Sequence, residues 1–361
     1  MRTSDRVFWS VGVAAVLAAT TAAGQPAAAA AGAEFLRQPA AVVELVAGGG
    51  TAVEGRPATE CRVTQPFGIA FSPQDDMFIC EETHRILRVD GRTGVLSVVT
   101  PARPPGSPLG DGGPAAAACF SAPHTLVADR AGNLYIADTG HHRVRRIDAR
   151  TGIVTTVAGD GSKELAGDGG PAVEAGLDGI ACVCLSPDER LLYVGGFSRV
   201  IRVVDMASGV IRTLEGLGGT RAFAVDAQGR LFSATGRGVR MLGDGARAVV
   251  LEDPAAEPVM KSIKHLWADH DGDILLADEG SHLIRKFLVR ERRLLTIAGT
   301  GVRGTAGVPG DPLAAQLGGP HGVVVHPRSG DVYIADSRNH RVLRIRHGGA
   351  APAAPAGGES P

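Results

Sequence analysis

Residues Tyr135–Ile147 read YIADTGHHRVRRI, and the same phrase returns near the end of the chain at Tyr333–Ile345 as YIADSRNHRVLRI. Leu275–Phe287, LLADEGSHLIRKF, is a third copy, and Phe78–Val89, FICEETHRILRV, is a fourth that is one residue shorter. The two most divergent copies lie between these, at Tyr193–Asp205 and Phe232–Leu242. Six copies of one unit in a chain of 361 residues predict a fold built by repetition.

Each copy belongs to a longer unit of apolar runs separated by turn residues. In the second unit the runs are His124–Asp129, Tyr135–Asp138, Arg143–Ile147 and Ile153–Ala158. Val, Ile, Leu and Thr in short runs between Gly, Asp and Asn are typical of β-strands, since β-branched side chains suit a pleated, half-buried surface. Four short antiparallel strands per unit are typical of a propeller blade. We therefore predict an all-β, six-bladed β-propeller.

The two ends of the repeat array indicate how the ring closes. The last unit supplies three strands and then stops, whereas Val42–Gly50, VVELVAGGG, matches the fourth-strand segment Ile153–Gly161, IVTTVAGDG. We therefore expect the N-terminal strand to pair into the last blade, which removes an open sheet edge. The first strands of the six blades are predicted to start at these residues: Phe67, His124, Asp178 (or Ala181), Arg221, Lys264 and His321.

The repeats resemble the NHL family of β-propellers. The resemblance lies in the ADTGHHR and ADSRNHR turns and in the linkers Gly110–Ala115 and Gly167–Ala172, which both read GDGGPA. It covers roughly residues 40 to 347 and implies a propeller without specifying an activity. Blades three and four depart from the pattern, with Gly196 and Thr235 where the other blades carry an acidic residue.

The flanking segments predict an exported protein. Residues 1–30 resemble a signal peptide, since Arg2 and Arg6 precede an apolar run and then small residues. Residues 31–41 form a linker in this interpretation, 42–347 the propeller, and 348–361 a Pro/Ala/Gly-rich disordered tail. We expect a secreted or periplasmic protein whose mature chain does not span a membrane and acts as a monomer.

Charge and cysteine content limit the classes of partner. The formal net charge is −1 and no basic stripe stands out, which argues against binding to nucleic acid. Export would permit a disulfide among Cys61, Cys80 and Cys119, and the spacing does not decide which two pair. The pair Cys182 and Cys184 shares one face of a strand and is interpreted as core.

The acidic residues that recur at one position of the repeat are interpreted as structural. They are Glu81, Asp138, Asp278 and Asp336. Each is expected to accept backbone N–H bonds in its turn and to pair with a nearby arginine, such as Arg85, Arg143 or Arg341. The turn histidines His142, His282 and His340 have the same interpretation.

Residues that differ between the copies are the better candidates for function. The starts of the first strands include Phe67, His124, Arg221, Lys264 and His321, which should ring the channel mouth on the face that carries the long linkers. We interpret the protein as a ligand- or protein-binding module that presents this face to a protein or a small anionic ligand. No cofactor fingerprint is present.

The alternative is a metal-dependent lyase or hydrolase. Peptide-amidating lyases resemble this chain in fold and place zinc-binding histidines at Pro-His positions, which Pro123-His124 and Pro320-His321 match. The resemblance implies His124 and His321 as ligands of a divalent metal. A third match is absent, because Lys264 occupies that register in blade five and His265 is displaced by one. A structural module of the cell envelope is a third interpretation.

Overall fold

The computed structural model describes residues 41–346, except 105, 199, 215–220 and 243–247. Blade one consists of β2 (Pro66–Phe71), β3 (Met77–Glu81), β4 (Ile86–Val89) and β5 (Leu96–Thr100). Blade two consists of β6 (Pro123–Ala128), β7 (Leu134–Asp138), β8 (Arg143–Ile147) and β9 (Val154–Ala158). Blade three consists of β10 (Ile180–Leu185), β11 (Leu191–Gly196), β12 (Ile201–Asp205) and β13 (Ile211–Leu214). Blade four consists of β14 (Phe223–Val225), β15 (Leu231–Ala234), β16 (Gly238–Leu242) and β17 (Ala248–Glu252). Blade five consists of β18 (Ile263–Ala268), β19 (Ile274–Asp278), β20 (Leu283–Leu288) and β21 (Arg293–Ala298). Blade six consists of β22 (Gly322–Val325), β23 (Val332–Asp336), β24 (Arg341–Arg346) and β1 (Val42–Gly48).

The six antiparallel sheets form a closed ring, which confirms the predicted propeller. The first strands of neighbouring blades contact one another all the way round, and β22 of the last blade contacts β2 of the first. Apolar side chains on adjoining blades form the core; Val324 and Tyr333 of blade six, for example, pack in one cluster with Ile69 and Ile79 of blade one. The described residues include no helix long and apolar enough to cross a bilayer.

The N-terminal strand completes blade six, as predicted. Strand β1 pairs antiparallel with β24 in a register that runs from Val42 opposite Arg346 to Gly48 opposite Arg341. The Glu44 carboxylate binds the guanidinium groups of both Arg344 and Arg346 across this pair. The last sheet is therefore made from both ends of the described chain, with buried apolar residues and ion pairs on the added strand.

Short 3₁₀ helices mark the connections on one end of the ring. Four lie in linkers that lead into a blade: Ala58–Glu60, Ala115–Ala117, Ala172–Glu174 and Pro312–Ala314. Three lie in the turns between the second and third strands: Thr139–His141, Glu279–Ser281 and Ser337–Asn339. The predicted signal peptide (1–30) and tail (348–361) lie outside the described residues, as does all but one residue of the linker.

Candidate functional site

Four residues from four different blades meet at the end of the channel where the first strands begin. The Phe67 ring stacks on the His321 imidazole with ring centroids 4.0 Å apart, and the His124 ring lies 4.9 Å from Phe67 and 5.5 Å from His321. Nη2 of Arg221 lies 3.2 Å from Nε2 of His321. We call Phe67, His124, Arg221 and His321 the mouth cluster. The mouth cluster depends on closure of the ring, because Phe67 comes from blade one and His321 from blade six.

The fifth predicted mouth residue, Lys264, has its charge matched by a neighbour. Its ammonium lies 3.0 Å from Oε2 of Glu279, and the other oxygen of that carboxylate accepts a hydrogen bond from Arg338 at 3.0 Å. These two cations hold the pKa of Glu279 below its usual value against the opposing effect of burial. Lys264 therefore adds little free positive charge to the mouth.

Both imidazoles of the mouth cluster are neutral because they are buried. Burial lowers the pKa of His124 to about 4, with nearby Arg221 and Lys264 acting in the same direction. Burial also places the pKa of His321 well below its usual value, helped by the same cations and by His124. His124 Nδ1 is 2.9 Å from the carbonyl oxygen of Ala122, so its proton lies on that nitrogen. A neutral His321 accepts at Nε2 from Arg221, which leaves its buried Nδ1–H without a partner.

Arg221 is a half-buried cation, and the described carboxylate that acts on its charge, Glu279, also pairs with Lys264 and Arg338. Its guanidinium lies over the Phe197 ring, 4.5 Å from the centroid, an arrangement that favours a cation through the ring quadrupole. Its only hydrogen bond to a described residue is the one to His321, it forms no ion pair with a described carboxylate, and its Nε is buried without a partner. Burial lowers the pKa of this guanidinium. A charge placed in this way gains most from an anionic ligand.

Arg221 and Phe197 also line a cavity of about 590 Å³ between blades three, four and five. The remaining lining residues are small, apolar or basic: Gly196, Ala222, Ala234, Thr235, Gly236, Met260, Lys261 and Ile263. This volume is within the range of small-molecule sites, roughly 300–1,000 Å³. Among the residues that the structure describes, the lining thus holds two basic side chains and no acidic one.

The cavity lies where two blades depart from the repeat by lacking the acidic turn residue. In the other four blades a fully buried turn carboxylate accepts a backbone N–H from the preceding linker and holds the linker against the turn. The donors are Thr64 to Glu81 (2.6 Å), Ser121 to Asp138 (2.7 Å), Ser262 to Asp278 (3.1 Å) and Gly318 to Asp336 (2.6 Å). Blades three and four have Gly196 and Thr235 there, and both line the cavity.

The arginine partners of these carboxylates differ in one blade from the sequence prediction. Arg85, immediately before the third strand of blade one, pairs with Glu81 at 2.6 Å, and Arg341, the first residue of β24, pairs with Asp336 at 2.7 Å. In blade two the partner of Asp138 is Arg145 at 3.2 Å, and not Arg143. Arg145 lies two residues further along the same strand face and is fully buried, whereas Arg143 turns outward to the carbonyl oxygen of His141.

Sequence reasoning missed the residue that follows each turn carboxylate. Thr139 Oγ1 lies 3.0 Å from Nδ1 of His124, Glu279 holds Lys264, and Phe197 contacts both Arg221 and His124. Thr139, Phe197 and Glu279 therefore contact residues at the first-strand starts. These positions could have been identified from the sequence, because the residue there differs between the copies: Glu82, Thr139, Phe197, Gly236, Glu279 and Ser337.

The described residues contain no group of three His, Cys, Asp or Glu side chains placed to hold a metal ion. His124 and His321 would supply two nitrogens, and the guanidinium of Arg221 lies against Nε2 of His321. A second cation at that nitrogen would meet direct repulsion, so this donor set does not fit zinc. All five cysteines are unpaired; the Cys80 thiol donates to the carbonyl oxygen of His124, and burial raises its pKa to about 12.

Comparison with known proteins agrees with the architecture. The NHL repeat profile matches residues 120–147 and 317–345, in blades two and six. The chloroplastic protein SUPPRESSOR OF QUENCHING 1 of Arabidopsis thaliana is 25% identical over 272 residues, which is 63% of this chain. The match spans only 25% of that plant protein.

Solved structures share the fold at low sequence identity. An auxiliary nutrient binding protein from Bacteroides thetaiotaomicron superposes with a TM-score of 0.64 at 13% identity, over 85% of this chain and 76% of that one. A putative gluconolactonase gives a TM-score of 0.57 at 15% identity, over 87% and 95% of the two chains. These similarities support the propeller fold.

Proposed function

The chain is an NHL-repeat β-propeller, and from this premise we propose that it is a binding module whose ligand contacts the linker face at the channel mouth. The observation that carries the proposal is Arg221, a half-buried guanidinium that forms no ion pair with a described carboxylate and whose buried Nε has no partner. A rigid ring presents it beside His124, His321 and Phe67. The ligand is a small molecule or protein segment that brings a negative charge or carbonyl oxygens to these donors.

The surrounding contacts favour binding over metal chemistry. The two neutral imidazoles are engaged with Ala122, Thr139 and Arg221, and no third metal-ligating side chain joins them among the described residues. Pre-formed donors that already have fixed orientations reduce the entropy cost of binding. The resemblance to a nutrient binding protein in fold is compatible with this role, and secretion or a periplasmic location stays a prediction.

The experiment compares ligand-induced thermal stabilisation of the full chain across panels of carboxylates, phosphates and neutral carbonyl compounds. Arg221→Ala combined with Lys264→Ala should abolish stabilisation by the anionic compounds and lower the melting temperature by only a few degrees. Arg130→Ala combined with Arg328→Ala removes the same charge from turns on the opposite face and should leave binding unchanged. The proposal is wrong if no compound stabilises the wild type, or if both double variants lose binding equally.

A further inference from the structure

We propose that the ligand is a carboxylate with an apolar or aromatic body, held in the cavity between blades three, four and five with its carboxylate on Arg221. This inference rests on the proposed function and assigns the site and ligand class within it. Arg221 belongs to both the mouth cluster and the cavity lining, so the mouth cluster would form one wall of the site. The ligand itself would lie in the cavity between blades three, four and five.

The first argument is charge. Arg221 and Lys261 line the cavity, and the described residues of its lining include no Asp or Glu. A planar guanidinium binds a carboxylate through two parallel hydrogen bonds, a geometry that lysine does not offer. The Phe197 ring fixes the plane of the Arg221 guanidinium from one side, so its N–H groups have a defined orientation before the ligand arrives.

The second argument is the character of the walls. Ala222, Ala234, Met260 and Ile263 present apolar surface, and Phe197 presents an aromatic ring that is 49% exposed. Burying such surface against an apolar ligand is favourable in proportion to its area. A fully polar anion such as inorganic phosphate would leave these walls uncovered, so a carboxylate with an apolar body matches the cavity better.

The third argument is how the repeat has been modified. A carboxylate at the position of Thr235 would place a negative charge in the lining of the cavity that Arg221 also lines. In four other blades that carboxylate holds the linker by a hydrogen bond to a backbone N–H. At Gly196 the backbone fills that place, since an added Cβ would lie 2.1 Å from the carbonyl oxygen of Gly179. In blade four the replacement by Thr235 leaves Arg221 without an ion pair to a described carboxylate. An external carboxylate would restore the charge balance that the other blades achieve internally.

The test uses 3-phenylpropanoate and its neutral isostere 3-phenylpropanamide, titrated into the full chain by calorimetry. The carboxylate should bind at least about 10-fold more tightly than the amide, as expected for a charge-assisted hydrogen-bond pair. Thr235→Asp should weaken carboxylate binding about 10- to 100-fold while the melting temperature is kept or raised, because the new side chain pairs with Arg221. Thr155→Asp adds the same charge on the outer strand of blade two and should leave affinity unchanged.

Three outcomes would overturn the assignment. Equal affinity for the amide and the carboxylate removes the role of Arg221 as a carboxylate partner. Unchanged affinity in Thr235→Asp together with its loss in Phe67→Ala places the ligand on the channel axis, and the binding function then stands without this cavity. Absence of 3-phenylpropanoate binding to the wild type removes this assignment, whereas the proposed function fails only if none of the carboxylates, phosphates and neutral carbonyl compounds stabilises the wild type.

Discussion

Nδ1 of His340 accepts a hydrogen bond from the backbone N–H of Gln65 at 3.1 Å, which joins the last blade of the ring to the first. The same bond recurs between consecutive blades elsewhere. His84 accepts from Ala122 at 2.7 Å, His142 from Gly179 at 3.3 Å and His282 from Gly319 at 3.1 Å. All four histidines have left-handed backbone conformations, with φ between 54° and 71°. The repeated turn histidine is therefore a link between blades.

Loss of one such link should cost about 1 kcal/mol, the net value of a single hydrogen bond. His340→Ala removes the acceptor and keeps the strain that a Cβ meets at positive φ, so it measures the hydrogen bond. His340→Gly also relieves that strain and should be more stable than His340→Ala. Chemical denaturation of the wild type and the two variants gives the free energy of unfolding of each protein. Equal stability of wild type and His340→Ala would show that the link contributes nothing.

Removal of the closing strand should damage the ring far more than removal of the tail. Deletion of residues 42–47 exposes β24 and the buried face that Val43 and Ala47 cover, and it should lower the melting temperature by about 10 °C or more. Deletion of residues 350–361, which lie outside the described residues, is the control and should have little effect. Similar melting curves for the two truncations would contradict the role of β1 in closure.

Asp138→Ala should be more destabilising than loss of a turn hydrogen bond alone. Asp138 is fully buried, accepts from the Ser121 N–H and pairs with the buried Arg145. Its removal leaves Arg145 with only the partly exposed Asp111 as a carboxylate partner, at 2.9 Å. We expect a loss of about 3 kcal/mol, within the range for breaking a buried pair. Urea unfolding of Asp138→Ala beside Asp111→Ala measures it; a loss of binding without any loss of stability would reverse the structural role of Asp138.

Buried histidines should make the protein less stable in mild acid. Burial lowers the pKa of His265 to about 4, while the unfolded chain titrates near 6.5. The unfolded state binds more protons between these values, so this contribution is complete above pH 6.5 and is lost as the pH falls towards 4. The loss is of the order of 3 kcal/mol in total.

Comparison of wild type with His265→Gln isolates this effect from the titration of carboxylates. The free energy of unfolding, measured by denaturant at pH 7.5, 5.5 and 4.5, should fall less steeply in the variant. His84→Gln, a histidine in a turn, provides the comparison for loss of an imidazole at another site. If the free energy of unfolding had the same pH dependence in the wild type and in His265→Gln, then His265 would have the same pKa in the folded and the unfolded state.

Metal analysis decides between binding and the lyase alternative. Because Arg221 lies against Nε2 of His321, we expect the protein purified without chelator to contain no stoichiometric zinc, copper or iron. Elemental analysis of the wild type beside the His124→Ala, His321→Ala double variant is the measurement. One equivalent of metal that disappears in the double variant would restore the two histidines as ligands and justify a search for lyase substrates.

Most of the architecture follows from short-range patterns in the chain. Strand alternation, the turn residues and the match between Val42–Gly50 and Ile153–Gly161 predicted six blades and their closure, since each depends on neighbouring residues or on direct repetition. The same comparison of copies identified Gly196 and Thr235 as departures and Arg221 as a varying position. It could not show that these three residues line one cavity.

The environment of each side chain depends on contacts between blades, and only the folded ring settles those. The sequence does not reveal that Lys264 is matched by Glu279, that Arg145 rather than Arg143 reaches Asp138, or that Phe197 supports Arg221. Burial and pairing are properties of residues distant in the chain, such as Arg221 and His321, which are 100 residues apart. The repeat thus predicts the scaffold, whereas the packing of different blades against one another determines which charges are left for a ligand.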